Sequence, residues 1–241
     1  MTLDIAAAVA SVRQLRHAGL RPSDALARSI VKGGDASITP LVELATSIDM
    51  FDEDEPACYA PLHALRMLGE LPRVSMIAPL LDQFPIEIYE EGDQLRQAWS
   101  TEVPQMIGRL GAAAIAPLWA IFDGPAQKQA ARGIAVVALA CVTVIAPDER
   151  APLIDALHER LEQADDTFAC SCLVLGLARL GIADDYRRVM ALYRDGQLDK
   201  AILPAANARQ LLLNGGDKTL DCTVHTITER YDQHGPYPVD E

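Results

Sequence analysis

Apolar residues along this chain fall into helix-length blocks separated by Gly, Pro and charged links. Four blocks align on a Pro-Leu pair: Ile38-Thr39-Pro40-Leu41-Val42-Glu43, Ile77-Ala78-Pro79-Leu80-Leu81-Asp82, Ile115-Ala116-Pro117-Leu118-Trp119-Ala120 and Arg150-Ala151-Pro152-Leu153-Ile154-Asp155. Their prolines are 39, 38 and 35 residues apart, and Arg188-Val189-Met190-Ala191-Leu192-Tyr193 follows 36 residues after Pro152 without a proline. The first, second and fifth residues after each proline are apolar. At 100° per residue they share one broad stripe. The third residue (Glu43, Asp82, Ala120 or Asp155) points away from it. A proline's fixed φ and missing N–H suit the first turn of a helix, so each block predicts a helix start.

A more apolar block precedes most of these segments, over residues 59–69, 94–111, 127–145 and 167–181. Three of these blocks end in Leu-Gly, at Gly69, Gly111 and Gly181, where glycine can take the left-handed conformation that stops a helix. The repeating unit reads as helix, Gly turn, Pro-started helix and polar link. A two-helix unit of this length cannot bury its own apolar face and does so by stacking on its neighbours. Residues 1–37 read as an N-terminal helical cap, 38–200 as the repeats, and 201–241 as a C-terminal cap ending in a loose tail. Within that last part 217–230 are ambiguous, because four threonines and the Leu220, Cys222, Val224 alternation are strand-like.

The Ala/Leu-rich first helix, the Leu-Gly turn and the Ile-Ala-Pro-Leu start of the second helix resemble the HEAT-repeat family, especially the short HEAT-like repeats of bacterial proteins and bilin lyases. The resemblance covers roughly residues 38–200 and implies an all-α fold, an α-solenoid of HEAT-like helix pairs. The block from Gln127 departs from it by lacking Leu-Gly. In such arrays the second helices line a concave face that binds other proteins. Carried onto this chain, the exposed positions are Glu43, Asp82, Asp155, Glu159 and Arg187. The resemblance also leaves room for a modifying enzyme of the bilin-lyase kind, or for a helical-repeat DNA glycosylase.

Charge narrows these choices. With 34 acidic and 21 basic residues the formal net charge is −13, which repels phosphate backbones and suits a protein partner with a basic surface. Nucleic acid is not an expected partner, and the 5% aromatic content is poor for a glycosylase groove. The odd number of cysteines (Cys58, Cys141, Cys170, Cys172, Cys222) and their apolar settings predict reduced, buried thiols. The longest uncharged run, 133–147, spans 15 residues, too short for a membrane span, and the first residues do not read as a secretion signal. A cytoplasmic chain with no membrane partner is expected.

Motifs for chemistry are sparse. His158-Glu159-Arg160-Leu161-Glu162 lacks the second histidine of a zinc-peptidase helix, and Cys170 and Cys172 point in different directions on a helix. The acidic run Asp52-Glu53-Asp54-Glu55 has no calcium-loop pattern and reads as a solvated link, as does the cluster Glu87, Tyr89, Glu90, Glu91, Asp93. His63 reads as a packing histidine and Trp119 as core. Trp99, in an otherwise polar stretch, is the aromatic expected to contact a partner. No catalytic residue, metal or cofactor is expected.

Overall fold

The computed structural model describes residues 5–87, 93–220, 222–223 and 226–234. Among them the chain is all-helical, with thirteen α-helices and no strand. In chain order these are α1 (Ile5–Arg13), α2 (Asp24–Lys32), α3 (Asp35–Ala45), α4 (Ala60–Leu68), α5 (Ile77–Asp82), α6 (Gln94–Gly108), α7 (Ile115–Asp123), α8 (Gln129–Ile145), α9 (Arg150–Gln163), α10 (Thr167–Arg179), α11 (Tyr186–Arg194), α12 (Ala205–Leu213) and α13 (Ile227–His234).

The apolar stripe is real. Leu41, Leu80, Leu118 and Leu153, each following its proline, are buried, and so are Ala45, Phe84, Phe122 and Leu157 four residues later. Glu43, Asp82, Ala120 and Asp155 are exposed. The helix starts differ slightly from expectation. Pro79, Pro117 and Pro152 are third in their helices, each after a short 3-10 turn, where the backbone N–H still lacks an intrahelical acceptor. Pro40 is sixth in α3, because Asp35 already starts that helix after Gly34. Of the three Leu-Gly stops, Gly111 (φ 58°) and Gly181 (φ 70°) are left-handed. Gly69 is not (φ −62°); a Cβ there would collide with Met106 and Arg109, so this glycine is needed for close approach.

The chain divides into two compact units, 1–109 with 223–241 and 110–222. Helix α3 begins at Asp35, ahead of the first repeat as read from residue 38. In the first unit α3 packs on α4 and on α1, α4 packs on α6, and α13 docks on α4. In the second unit α8 packs between α7 and α10, and α10 also meets α9 and α12. The middle of α8, Ala135 to Val142, is buried throughout.

The C-terminal reading needs correction. Residues 227–234, partly inside the stretch read as strand-like, are helical. A capping box starts α13: Glu229 accepts the Thr226 N–H, and the Glu229 N–H donates to the Thr226 hydroxyl. Ile227, Arg230 and Tyr231, spaced i, i+3 and i+4, bury one face, and docking overrides the low helix propensity of the threonines. Val224 and the tail 235–241 lie outside the described residues.

Candidate partner-binding groove

Two helix faces in the first unit leave an open groove of about 770 Å³ between them. On one side Ile5, Val9, Val12, Arg13 and Arg16 recur at helical spacing along α1 and the turn that extends it. On the other, Asp35, Ala36, Thr39, Pro40, Glu43, Leu44 and Ser47 recur along α3. In α1, Ala8 lies against Gly33, just before the start of α3. Near the end of α1 Arg16 donates to the Met50 Sδ at 3.4 Å. The two helices therefore run side by side in the same direction. Val12 and Leu44 are buried at the floor, Val9 and Pro40 are half-buried on the walls, and Ile5 stands 67% exposed at the mouth. An isoleucine that open on an apolar groove has surface to gain by being covered.

Arg16 and His17 also line a second depression of about 600 Å³, whose other wall is the acidic run Asp52–Glu55 with Pro56 and Ala57. Two of these acids are engaged. Arg96 donates to Asp52 at 2.8 Å, and the Tyr59 hydroxyl donates to Glu55 at 2.7 Å. Burial, then the Glu55 hydrogen bond, pushes the Tyr59 phenol up. Glu53 and Asp54 are exposed, and no described residue pairs with their carboxylates. The groove thus has a basic wall on α1 (Arg13, Arg16) and an acid on α3 (Glu43), and the depression that adjoins it at Arg16 and His17 carries Glu53 and Asp54.

Of the six candidate binding residues Glu43, Asp82, Trp99, Asp155, Glu159 and Arg187, only Glu43 lines this groove. Asp82 on α5, Asp155 and Glu159 on α9, and Arg187 on α11 are exposed. Asp155 and Glu159 are one turn apart on the same face. Trp99 is corrected: it is fully buried in α6, its indole N–H donates to the Ala45 carbonyl at 2.9 Å, and it stacks near Phe84. Of the acidic cluster before α6, Tyr89, Glu90 and Glu91 lie outside the described residues, and Asp93 caps α6 by accepting the Arg96 N–H. The sequence reading missed Val9, Arg13, Arg16 and His17. Their signal was the spacing of Ile5, Val9 and Val12 in a helix read only as a cap.

Other polar groups are absorbed by structure. His63 is buried with both ring nitrogens engaged: Nε2 faces the Gly19 carbonyl at 2.8 Å, and Nδ1 meets the Tyr231 hydroxyl. Because a carbonyl only accepts, Nε2 carries the proton and Nδ1 accepts from Tyr231. Burial holds this imidazole neutral and lowers its pKa to about 4. The Arg66 guanidinium grips the Glu102 carboxylate with contacts of 2.6 to 3.1 Å, lies 4.7 Å from the Tyr231 ring centre, and shares Glu102 with Arg230. In the second unit His158 pairs with Asp185 at 2.7 Å, and Arg160 stacks 3.8 Å from the Trp119 ring centre while bonding Asp123. All five cysteines are buried and unbridged. No three or more His, Cys, Asp or Glu gather as metal ligands among the described residues, nor is any helix there, taken singly, long and apolar enough to cross a membrane.

Comparison with known proteins returned no matching family model, no matching curated protein and no matching solved structure.

Proposed function

We propose that this chain is a non-catalytic protein-binding scaffold, built from HEAT-like helix pairs, that presents exposed acidic helix faces to a partner with a basic surface. The observation that carries this reading is the groove of the first unit. It offers the exposed Ile5 with the half-buried Val9 and Pro40, Glu43 on its wall, and, in the adjoining depression, the exposed acids Glu53 and Asp54, with which no described residue pairs. Asp82, Asp155 and Glu159 add exposed negative charge on other helices. Such charge steers a basic surface into encounter more than it tightens the final complex.

The test uses a partner captured from extract of the native host on the full-length chain and then purified. Its association rate is measured across a salt series with the chain and with the triple variant Glu43→Gln, Asp82→Asn, Asp155→Asn. The scaffold reading expects slower association and a flatter salt dependence for the variant. The same rate and slope for both proteins would remove the acidic faces from the account.

A further inference from the structure

The groove between α1 and α3 is specific enough in shape and charge to name its occupant, an inference that rests on the scaffold reading above. We propose that it receives a three-turn amphipathic helix of a partner protein. The apolar face of that helix lies on Ile5, Val9 and Pro40, its basic end lies over Glu53 and Asp54, and an acidic residue on its flank meets Arg13.

Length comes first. The α3 wall runs from Asp35 to Ser47, which at 1.5 Å per residue is roughly 18 Å, about the length of three helical turns. Both walls are themselves helices that present residues at helical spacing. A third helix can seat its ridge in the channel between two such ridges, at the usual separation of about 8 to 10 Å. Ile5, Val9 and Pro40 give the groove an apolar strip between the charged and polar side chains of its two walls, which fits the two-faced surface of an amphipathic helix.

Charge then sets the orientation. The two helices run in the same direction, so the C-terminal end of α3 lies towards the acidic run. Its last carbonyls add negative potential there to Glu53 and Asp54. Asp35, at the opposite end, is paired with Arg73 at 2.6 Å in an exposed contact that offsets part of its charge. Positive charge on the occupant is therefore favoured over Glu53 and Asp54, past Arg16 and His17, which line both depressions. Arg13 is exposed on the α1 wall, no described residue pairs with it, and a carboxylate on the flanking face of the occupant complements it. Helix-in-groove recognition of this kind reads apolar anchors at i, i+3, i+4 and i+7.

The experiment is selection of a displayed library of random 16-residue peptides on the full-length chain, followed by affinity measurement of the enriched peptides. The expected winners carry apolar residues at i, i+3, i+4 and i+7 with Lys or Arg clustered at one end. They bind at least tenfold more weakly to Val9→Asp and to the double variant Glu53→Lys, Asp54→Lys. Arg13→Glu weakens them too, and a peptide whose acidic residue is changed to Lys recovers that loss. Val9→Ser, a milder change at a half-buried position, moves affinity in the same direction and guards against a Val9→Asp chain that misfolds, with circular dichroism checking both. Basic winners that bind Val9→Asp as tightly as the parent would overturn the groove and leave the acidic-face reading standing. Winners without basic residues would overturn that reading and this inference together. A concentration-dependent dimer abolished by Val9→Ser would show that a second copy occupies the groove, and would overturn the partner helix.

Discussion

The two units bury different chemistry. In the first, the core around α4, α6 and α13 holds Arg66, Glu102, Gln105, Arg230, His63 and Tyr231, all nearly inaccessible and tied to one another by hydrogen bonds and stacking. In the second, α8 and α10 meet through Ala, Val, Leu and Cys. The fit there depends on small residues: a Cβ added at Gly176 would stand 2.7 Å from Val136. A buried ion network is a poor source of net stability, but it is intolerant of losing one member, and it can specify which segment docks. In the first unit the docked segment is α13, eight residues long and mostly polar outside its buried face. So short a helix has little stability of its own. Matching Arg230 to Glu102 and Tyr231 to His63 is what selects its place. The core of the second unit selects mainly by shape, with Ser171 and Asp185 among its few buried polar members.

The comparison can be broken most forcefully at Glu102. Glu102→Ala leaves Arg66 and Arg230 buried without their shared carboxylate and is expected to cost about 3 to 5 kcal/mol. Urea denaturation followed by circular dichroism reads this directly, and a loss below about 1 kcal/mol would show that the network is not buried as described. The next effect is acid sensitivity confined to the first unit. Below pH 6.5 an unfolded His63 takes up a proton, whereas the folded one stays neutral down to about 4, so protons favour the unfolded state in that window. At about 1.4 kcal/mol per pH unit, stability falls by roughly 2 kcal/mol between pH 6.5 and 5. His63→Asn should flatten that limb, and an unchanged acid limb would remove the buried histidine as its cause.

Smaller effects test the second unit and the surface. Gly176→Ala crowds Val136 and Leu157. The overpacking cost of about 1 to 3 kcal/mol is partly offset by the roughly 1 kcal/mol gain in helix propensity, so the net loss in thermal or urea unfolding should be about 1 kcal/mol. A clearly stabilised variant would mean that this contact is loose. Smallest of all, Glu43→Gln, Asp82→Asn and Asp155→Asn should each shift stability by no more than about 0.5 kcal/mol, because exposed charges contribute little. A larger change at Glu43 or Asp155 would assign that carboxylate a structural partner.

The same contrast explains what the sequence made readable. The apolar stripe after each proline, the left-handed glycines at Gly111 and Gly181, and the packing role of His63 follow from spacing and side-chain chemistry, and the structure has them. Trp99 misled because α6 looks polar, yet Arg96, Glu102 and Gln105 are polar residues buried with partners from distant segments. Helix α13 was hidden by its threonines, although Thr226 and Glu229 spelled a capping box. The groove was illegible because its walls come from helices some thirty positions apart, and periodicity describes each wall without saying that the two face one another. The acids at Glu53 and Asp54 were read as a solvated link. Nothing in their spacing shows that the chain returns them to the end of α1.

The most direct test of the central claim is amide hydrogen exchange of the full-length chain with and without the tightest peptide from the library selection. The account expects slowed exchange over α1, α3 and the link at 52–55, with α9 and α11 unchanged. Protection confined to α9 and α11, around Asp155, Glu159 and Arg187, with α1 and α3 unaltered, would contradict it.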